Sequence, residues 1–82
     1  MNLFDASWSL AKHDINKHFE DFKVAVSNDD EQSAVDCYNN IVDVYENLPI
    51  SVASFFQKIG VNNHKKKILK SMETAFAKKG WD

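Results

Sequence analysis

The stretch that decides the fold is residues 8–26, which read WSLAKHDINKHFEDFKVAV. Its large apolar residues recur at steps of three and four, the spacing that places side chains on one face of a helix. These residues are Trp8, Ala11, Ile15, Phe19, Phe22 and Val26. No glycine or proline interrupts the run. The pattern therefore predicts a long amphipathic helix from about Asp5 to Val26.

The same period returns after a polar break at residues 27–31, SNDDE, whose acids suit the first turn of a new helix. The second helix is predicted to run to about Asn47, because Pro49 cannot continue the backbone hydrogen bonding. Its apolar stripe is Ala34, Tyr38, Ile41, Tyr45 and Leu48.

Two further helices are predicted in the remaining chain. A short one spans about Ile50 to Ile59, and Gly60 ends it, since glycine readily takes a left-handed C-terminal conformation. The apolar residues of this short helix are Ala53, Phe55, Phe56 and Ile59. A fourth helix spans about His64 to Lys79, with Gly80 after it and Trp81 folding back onto its last turn. We expect His64, at its start, to be solvated.

The connections between these helices are only a few residues long, which favours antiparallel neighbours. The sequence therefore predicts an all-α fold, a compact bundle of about four helices, three long and one short. With 82 residues and no linker or repeat, we expect a single α-helical domain over residues 1–82.

Charge is distributed unevenly along the chain. Residues 1–60 contain four lysines and ten acids, a net charge of −6, whereas residues 61–82 contain six lysines and two acids, a net charge of +4. All ten basic residues are lysines. Because arginine is the usual reader of guanine and phosphate, its absence counts against sequence-specific recognition of nucleic acid.

Several features predict a cytoplasmic protein. The first residues carry no positive segment followed by an apolar run, and no stretch approaches the roughly 18 apolar residues of a membrane span. A single cysteine, Cys37, suits a reducing compartment. We therefore expect no direct insertion into a membrane.

The residues able to do chemistry do not form a familiar site. His13 and His18 are five apart, about 140° around a helix, and Asp14 with His18 makes only two candidate metal ligands. Cys37 lies on an apolar stripe without a neighbouring base, and the only glycines are Gly60 and Gly80. We predict a protein that is not an enzyme and has no cofactor and no metal.

The candidate partner-binding residues lie off the apolar stripes. Lys66, Lys67 and Lys70 share the side of the last helix away from its apolar residues, and Leu10 and Val24 lie nearly opposite the stripe of the first helix. The lysines form either a solvated face or an electrostatic docking surface for an acidic protein or nucleic acid. The two apolar residues either pad the edge of the core or form a contact surface.

These observations favour a non-enzymatic regulator that acts by binding a protein partner. Self-association into homo-oligomers is left open. The alternative is a nucleic-acid-binding regulator of transcription or replication that uses the basic last helix. In that version the last two helices form a helix-turn-helix unit with its turn at Gly60.

Two resemblances to known families bear on the function. The run Ile59-Gly60-Val61 followed by residues 64–72, HKKKILKSM, resembles the end of a sterile-alpha-motif domain and implies protein–protein association. The all-lysine, asparagine-rich style of the chain, with its ends MNLFD and AKKGWD, resembles the small cytoplasmic antiholins of T-even bacteriophages. That likeness implies an accessory role in lysis inhibition through binding a cytoplasmic segment of a holin.

Overall fold

The computed structural model describes residues 3–81, which form three α-helices and one short 3₁₀ turn. Helix α1 spans Leu3–Ser27, α2 spans Glu31–Glu46 and α3 spans Phe55–Lys79, and the 3₁₀ turn covers Ile50–Val52. No strand occurs in the described part of the chain. The prediction of an all-α fold is confirmed.

The helices run up, down and up in an elongated bundle of 41 × 17 × 14 Å. Contacts at the two ends of α3 fix this arrangement. Near its start, Gln57 Nε2 donates a hydrogen bond to Asp5 Oδ1 of α1 at 2.7 Å. Near its end, Lys79 forms an ion pair with Asp29 in the loop between α1 and α2.

The core is built from the stripes that the sequence predicts. Ile15, Phe22, Ile41 and Met72 are almost completely buried, and they come from all three helices. Trp8, Phe19, Tyr38 and Phe76 pack around them with part of each ring exposed. Burial of apolar side chains supplies the main stabilisation of the bundle, and each of the four buried residues contributes about 1.5–3 kcal/mol on leaving water.

The prediction of four helices is wrong, because the last two are one continuous helix. Gly60 lies inside α3, and among the described residues the glycine with a left-handed backbone is Gly80, at φ 73°. The helix begins at a capping box in which Ser54 Oγ accepts from Gln57 N while Gln57 Oε1 accepts from Ser54 N. This cap, together with burial of Val61, offsets the cost of about 1 kcal/mol for an interior glycine. The turn required by a helix-turn-helix unit is therefore not formed at Gly60.

Replacing Gly60 by alanine is expected to stabilise the protein by about 0.5–1 kcal/mol, because alanine restricts the unfolded chain and a new Cβ would meet nothing within 4 Å. Urea unfolding followed by circular dichroism measures the change. The matched control is Gly80→Ala, which should destabilise by roughly 1–2 kcal/mol because its φ is 73°. A loss of stability in Gly60→Ala would show that α3 is broken at that position.

Within residues 3–81, no helix has both the length and the apolar character needed to cross a membrane.

Candidate docking surface on the third helix

The outer face of α3 points away from the other two helices and carries two different kinds of side chain. At 100° per residue, Phe56, Ile59 and Asn63 lie on the side opposite the buried Val61 and Met72. The same side then continues along the helix through three lysines. We call Lys66, Lys67 and Lys70 the lysine ridge; all three are exposed.

Large apolar side chains are exposed at the end of the bundle where α3 begins. Phe55 is 72% exposed and Phe56 is 82% exposed, and their ring centroids are 5.8 Å apart. Apolar side chains in the 3₁₀ turn before α3, in the next turn of α3 and at the start of α1 are exposed as well. We call this set the apolar end: Leu3, Ile50, Val52, Phe55, Phe56 and Ile59.

The exposure of these phenylalanines follows from the register of α3. Because the helix is continuous, the buried stripe that contains Met72, Ile68 and Val61 continues backwards onto Gln57. Phe55 and Phe56 then fall outside this stripe. The hydrogen bonds of Gln57 to Ser54 and to Asp5 fix the first turn of α3 in this orientation.

Charged residues are distributed unevenly between α2 and α3. Helix α3 contains seven lysines and one acid, whereas α2 contains four acids and no lysine. Among residues 3–81 the salt bridges are Lys23–Glu20 and Lys79–Asp29, so no carboxylate of the described chain pairs with the lysine ridge. The ridge therefore presents unneutralised positive charge beside the apolar end.

Leu10 and Val24, the other two residues that the sequence singles out, lie elsewhere. They are 70% and 58% exposed, so most of each side chain lies outside the core. Leu10 borders a shallow depression with Asp43 and Pro49, and Val24 borders another with Asp36 and Cys37, both on the side of α1 next to α2. The structure therefore does not bring these two residues into one surface with the lysine ridge, and their role in binding stays a prediction.

A hydrogen-bonded aromatic cluster joins all three helices and was missed by the sequence analysis. The Tyr45 hydroxyl and His64 Nδ1 are 2.6 Å apart, and the His64 and Trp8 rings are nearly perpendicular, with 5.0 Å between centroids. Burial, and then the charges of Lys12 and Lys67, lower the pKa of His64; burial raises the pKa of Tyr45 to about 12. His64 is thus a partly buried packing residue, and the expectation that it is solvated is wrong.

The pH dependence of stability should report on this cluster. Because the folded protein holds the pKa of His64 below its unfolded value of about 6.5, the neutral imidazole favours folding. Stability is therefore expected to fall as the pH decreases from 7.5 to 5.5, measured by urea unfolding at each pH. In His64→Gln this part of the decrease should disappear; an identical slope in both proteins would contradict the assignment.

The remaining polar candidates do not assemble into a chemical site. Burial, with the charges of Asp21, Asp36 and Asp30, raises the pKa of the Cys37 thiol, so it is held in its protonated and less nucleophilic form. His13 is exposed and His18 is half-buried. Within residues 3–81, no group of three or more histidine, cysteine or acidic side chains is placed to hold a metal ion.

The described residues thus define a class of structure: a three-helix bundle with an exposed apolar end and an adjoining basic helix face. A scan of known protein families and searches of curated proteins and of solved structures find no match for this chain.

Proposed function

We propose that this protein is a non-enzymatic regulator that acts by binding another protein through the outer face of α3. The observation that carries the proposal is the pair of phenyl rings, Phe55 and Phe56, exposed beside the lysine ridge. An exposed apolar patch of this kind often marks a surface that contacts another protein. Aromatic side chains are also the residues that most often dominate binding energy at interfaces.

The specific partner that we propose is a cytoplasmic segment of a holin. The support for it is the resemblance of the chain to the small cytoplasmic antiholins of T-even bacteriophages, in length, in lysine-only basicity and in its two ends. In this proposal the protein works in the cytoplasm as an accessory factor in lysis inhibition. Its role is to bind, without catalysis or a cofactor, and self-association remains compatible with it.

The experiment is charge reversal on the lysine ridge. The variant Lys66→Glu/Lys67→Glu/Lys70→Glu is expected to lose partner binding in a pulldown while its helical circular dichroism is unchanged, since all three side chains are exposed. The loss should be at least about tenfold, because three favourable charge contacts of roughly 0.2–1 kcal/mol each become repulsive.

The matched control reverses three lysines of α1 instead, Lys12→Glu/Lys17→Glu/Lys23→Glu, and changes the net charge by the same amount. This control should bind normally. Equal binding by both variants removes the lysine ridge from the contact surface, and equal loss shows that only the overall charge matters.

A second candidate function rests on the same unpaired lysines. Lys66, Lys67 and Lys70 could contact phosphates of nucleic acid, and exposed phenyl rings are able to stack on unpaired bases. Such binding would be sequence-tolerant and strongly salt-dependent. A gel-shift series with DNA and RNA distinguishes this candidate: the absence of a shift at low salt eliminates it.

A further inference from the structure

The exposed side chains on the outer face of α3 change from apolar to basic along the helix, and this change restricts what the face can bind. Phe56 and Lys70 are fourteen residues apart, about 21 Å along the helix axis. The first part of that distance is apolar, the uncharged Asn63 follows it, and the last part is basic. A partner that covers the whole face must therefore change from apolar to acidic over the same distance.

We propose that the occupant of this face is an acidic amphipathic helix of another protein, lying along α3. Its large apolar side chains would pack on Phe55, Phe56 and Ile59, and its carboxylates would pair with the lysine ridge. This inference rests on the proposed function and adds the chemistry of the partner.

The size of the two phenyl rings indicates that the interface extends beyond them onto the lysine ridge. A phenylalanine buries about 150–250 Å², so the exposed parts of Phe55 and Phe56 together supply roughly 300 Å². A stable interface needs about 800 Å² on each partner. The two rings are therefore too small to hold a partner alone, and the surface that continues from them along the outer face of α3 is basic. Charge complementarity therefore requires an acidic segment.

A second copy of this chain fits the surface poorly. The fully exposed side chains of its acidic helix, α2, are all polar, and the valines Val35, Val42 and Val44 are partly buried, so α2 offers little to place against the phenyl rings. Pairing α3 with α3 of another copy leaves the lysines opposite lysines when the helices are parallel. In the antiparallel arrangement the lysines face the apolar end. Self-association through α3 therefore does not provide both an apolar surface for the phenyl rings and carboxylates for the lysine ridge.

A lipid surface also fits poorly. A helix that lies in a membrane interface needs an apolar stripe along its length. The lengthwise stripe of α3, which includes Val61, Ile68 and Met72, is already packed against α1 and α2. The large exposed apolar residues of α3 are confined to its first two turns, where they are Phe55, Phe56 and Ile59.

Nucleic acid is also a poorer match for the apolar end. The segment before α3 adds the aliphatic side chains of Ile50 and Val52, which do not stack on nucleotide bases as aromatic rings do.

The test titrates isotope-labelled protein with synthetic peptides and follows backbone amide shifts by NMR. The probe is a helical peptide of about 18 residues, long enough to span from Phe56 to Lys70. On one face it carries leucine and tryptophan at one end and glutamates at the other end. Two versions are made, one with the apolar residues near the N-terminus and one with them near the C-terminus. One control peptide has lysine in place of glutamate, and a second has serine in place of the apolar residues.

The acidic peptide is expected to shift the amides around Phe55, Phe56, Ile59 and the lysine ridge, and to leave the outer residues of α2 unchanged. It should bind at least about tenfold more tightly than either control peptide. Binding should weaken with added salt and be lost in the variant Lys66→Glu/Lys67→Glu/Lys70→Glu.

Three outcomes overturn the inference: no saturable shift on α3, equal binding of the lysine peptide, or preferential binding of phosphatidylserine vesicles or oligo(dT) at this face. If the acidic peptide fails while charge reversal on the ridge still abolishes capture of the natural partner, the proposed function stands and the partner chemistry is wrong. If both experiments fail, the outer face of α3 is not a docking surface.

Discussion

Replacing Phe22 by alanine is expected to bring the protein close to unfolding. Phe22 is 2% exposed and packs edge-on against Phe76, with 5.5 Å between ring centroids. Truncation of a buried phenylalanine costs about 3–5 kcal/mol, from lost transfer energy and the cavity left behind. A domain of this length has a total stability of roughly 4–12 kcal/mol. Thermal and urea unfolding by circular dichroism should show a large decrease in both midpoints.

The control for Phe22→Ala is Phe56→Ala, which removes the same atoms from a ring that is 82% exposed. That variant should change stability by no more than about 0.5 kcal/mol, because the lost ring leaves no cavity. Similar destabilisation by the two substitutions would mean that Phe56 is part of the core, and the account of an exposed apolar end would be wrong.

The second large effect is on binding. The double variant Phe55→Ser/Phe56→Ser should remain folded with nearly the stability of the parent, yet lose at least about hundredfold in affinity for the proposed protein partner. Aromatic anchors at the centre of an interface contribute 2 kcal/mol or more each, and every 1.4 kcal/mol is a factor of ten. Calorimetric titration against the proposed partner, a cytoplasmic segment of a holin, or against a partner recovered by pulldown measures the change.

The matched control for this variant is Leu10→Ser/Val24→Ser, which removes two exposed apolar side chains from α1. It should bind as well as the parent. If instead the α1 pair abolishes binding and the α3 pair does not, the contact surface lies on the side of α1 next to α2.

Much of the bundle could be predicted from residue spacing. Helix α2 begins at Glu31 behind the cap of Asp30, whose carboxylate accepts from Ser33 N at 3.1 Å. At the other end of the chain, Gly80 takes the left-handed conformation and Trp81 N donates to Phe76 O at 2.9 Å. Both features are local, because caps and C-terminal glycines act within one turn.

The continuity of α3 was missed because glycine has two opposite uses. Gly60 looks like a helix end by composition, but burial of Val61 immediately after it holds the helix together. A further signal was present in the sequence: Ser54 and Gln57 have the spacing of a capping box, which places the helix start at Phe55. Tracing the buried stripe backwards from Met72 would then have placed Phe55 and Phe56 outside it.

The Tyr45–His64 hydrogen bond could not be predicted in the same way. The two residues are nineteen positions apart and belong to helices that meet only after folding. Their contact depends on the rotation of α3 against α2, which is set by the whole set of core side chains. Spacing within one helix contains no information about that rotation.

The central claim is that the outer face of α3, and not α1, contacts the partner. Site-specific photo-crosslinking tests it most directly, with p-benzoylphenylalanine in place of Phe56 in one protein and in place of Leu10 in another. Both positions are at least 70% exposed, so either crosslinker is free to reach a partner. The account predicts a partner crosslink from position 56 that disappears when the lysine ridge is reversed in charge, and none from position 10. A crosslink from position 10 with none from position 56 would contradict it.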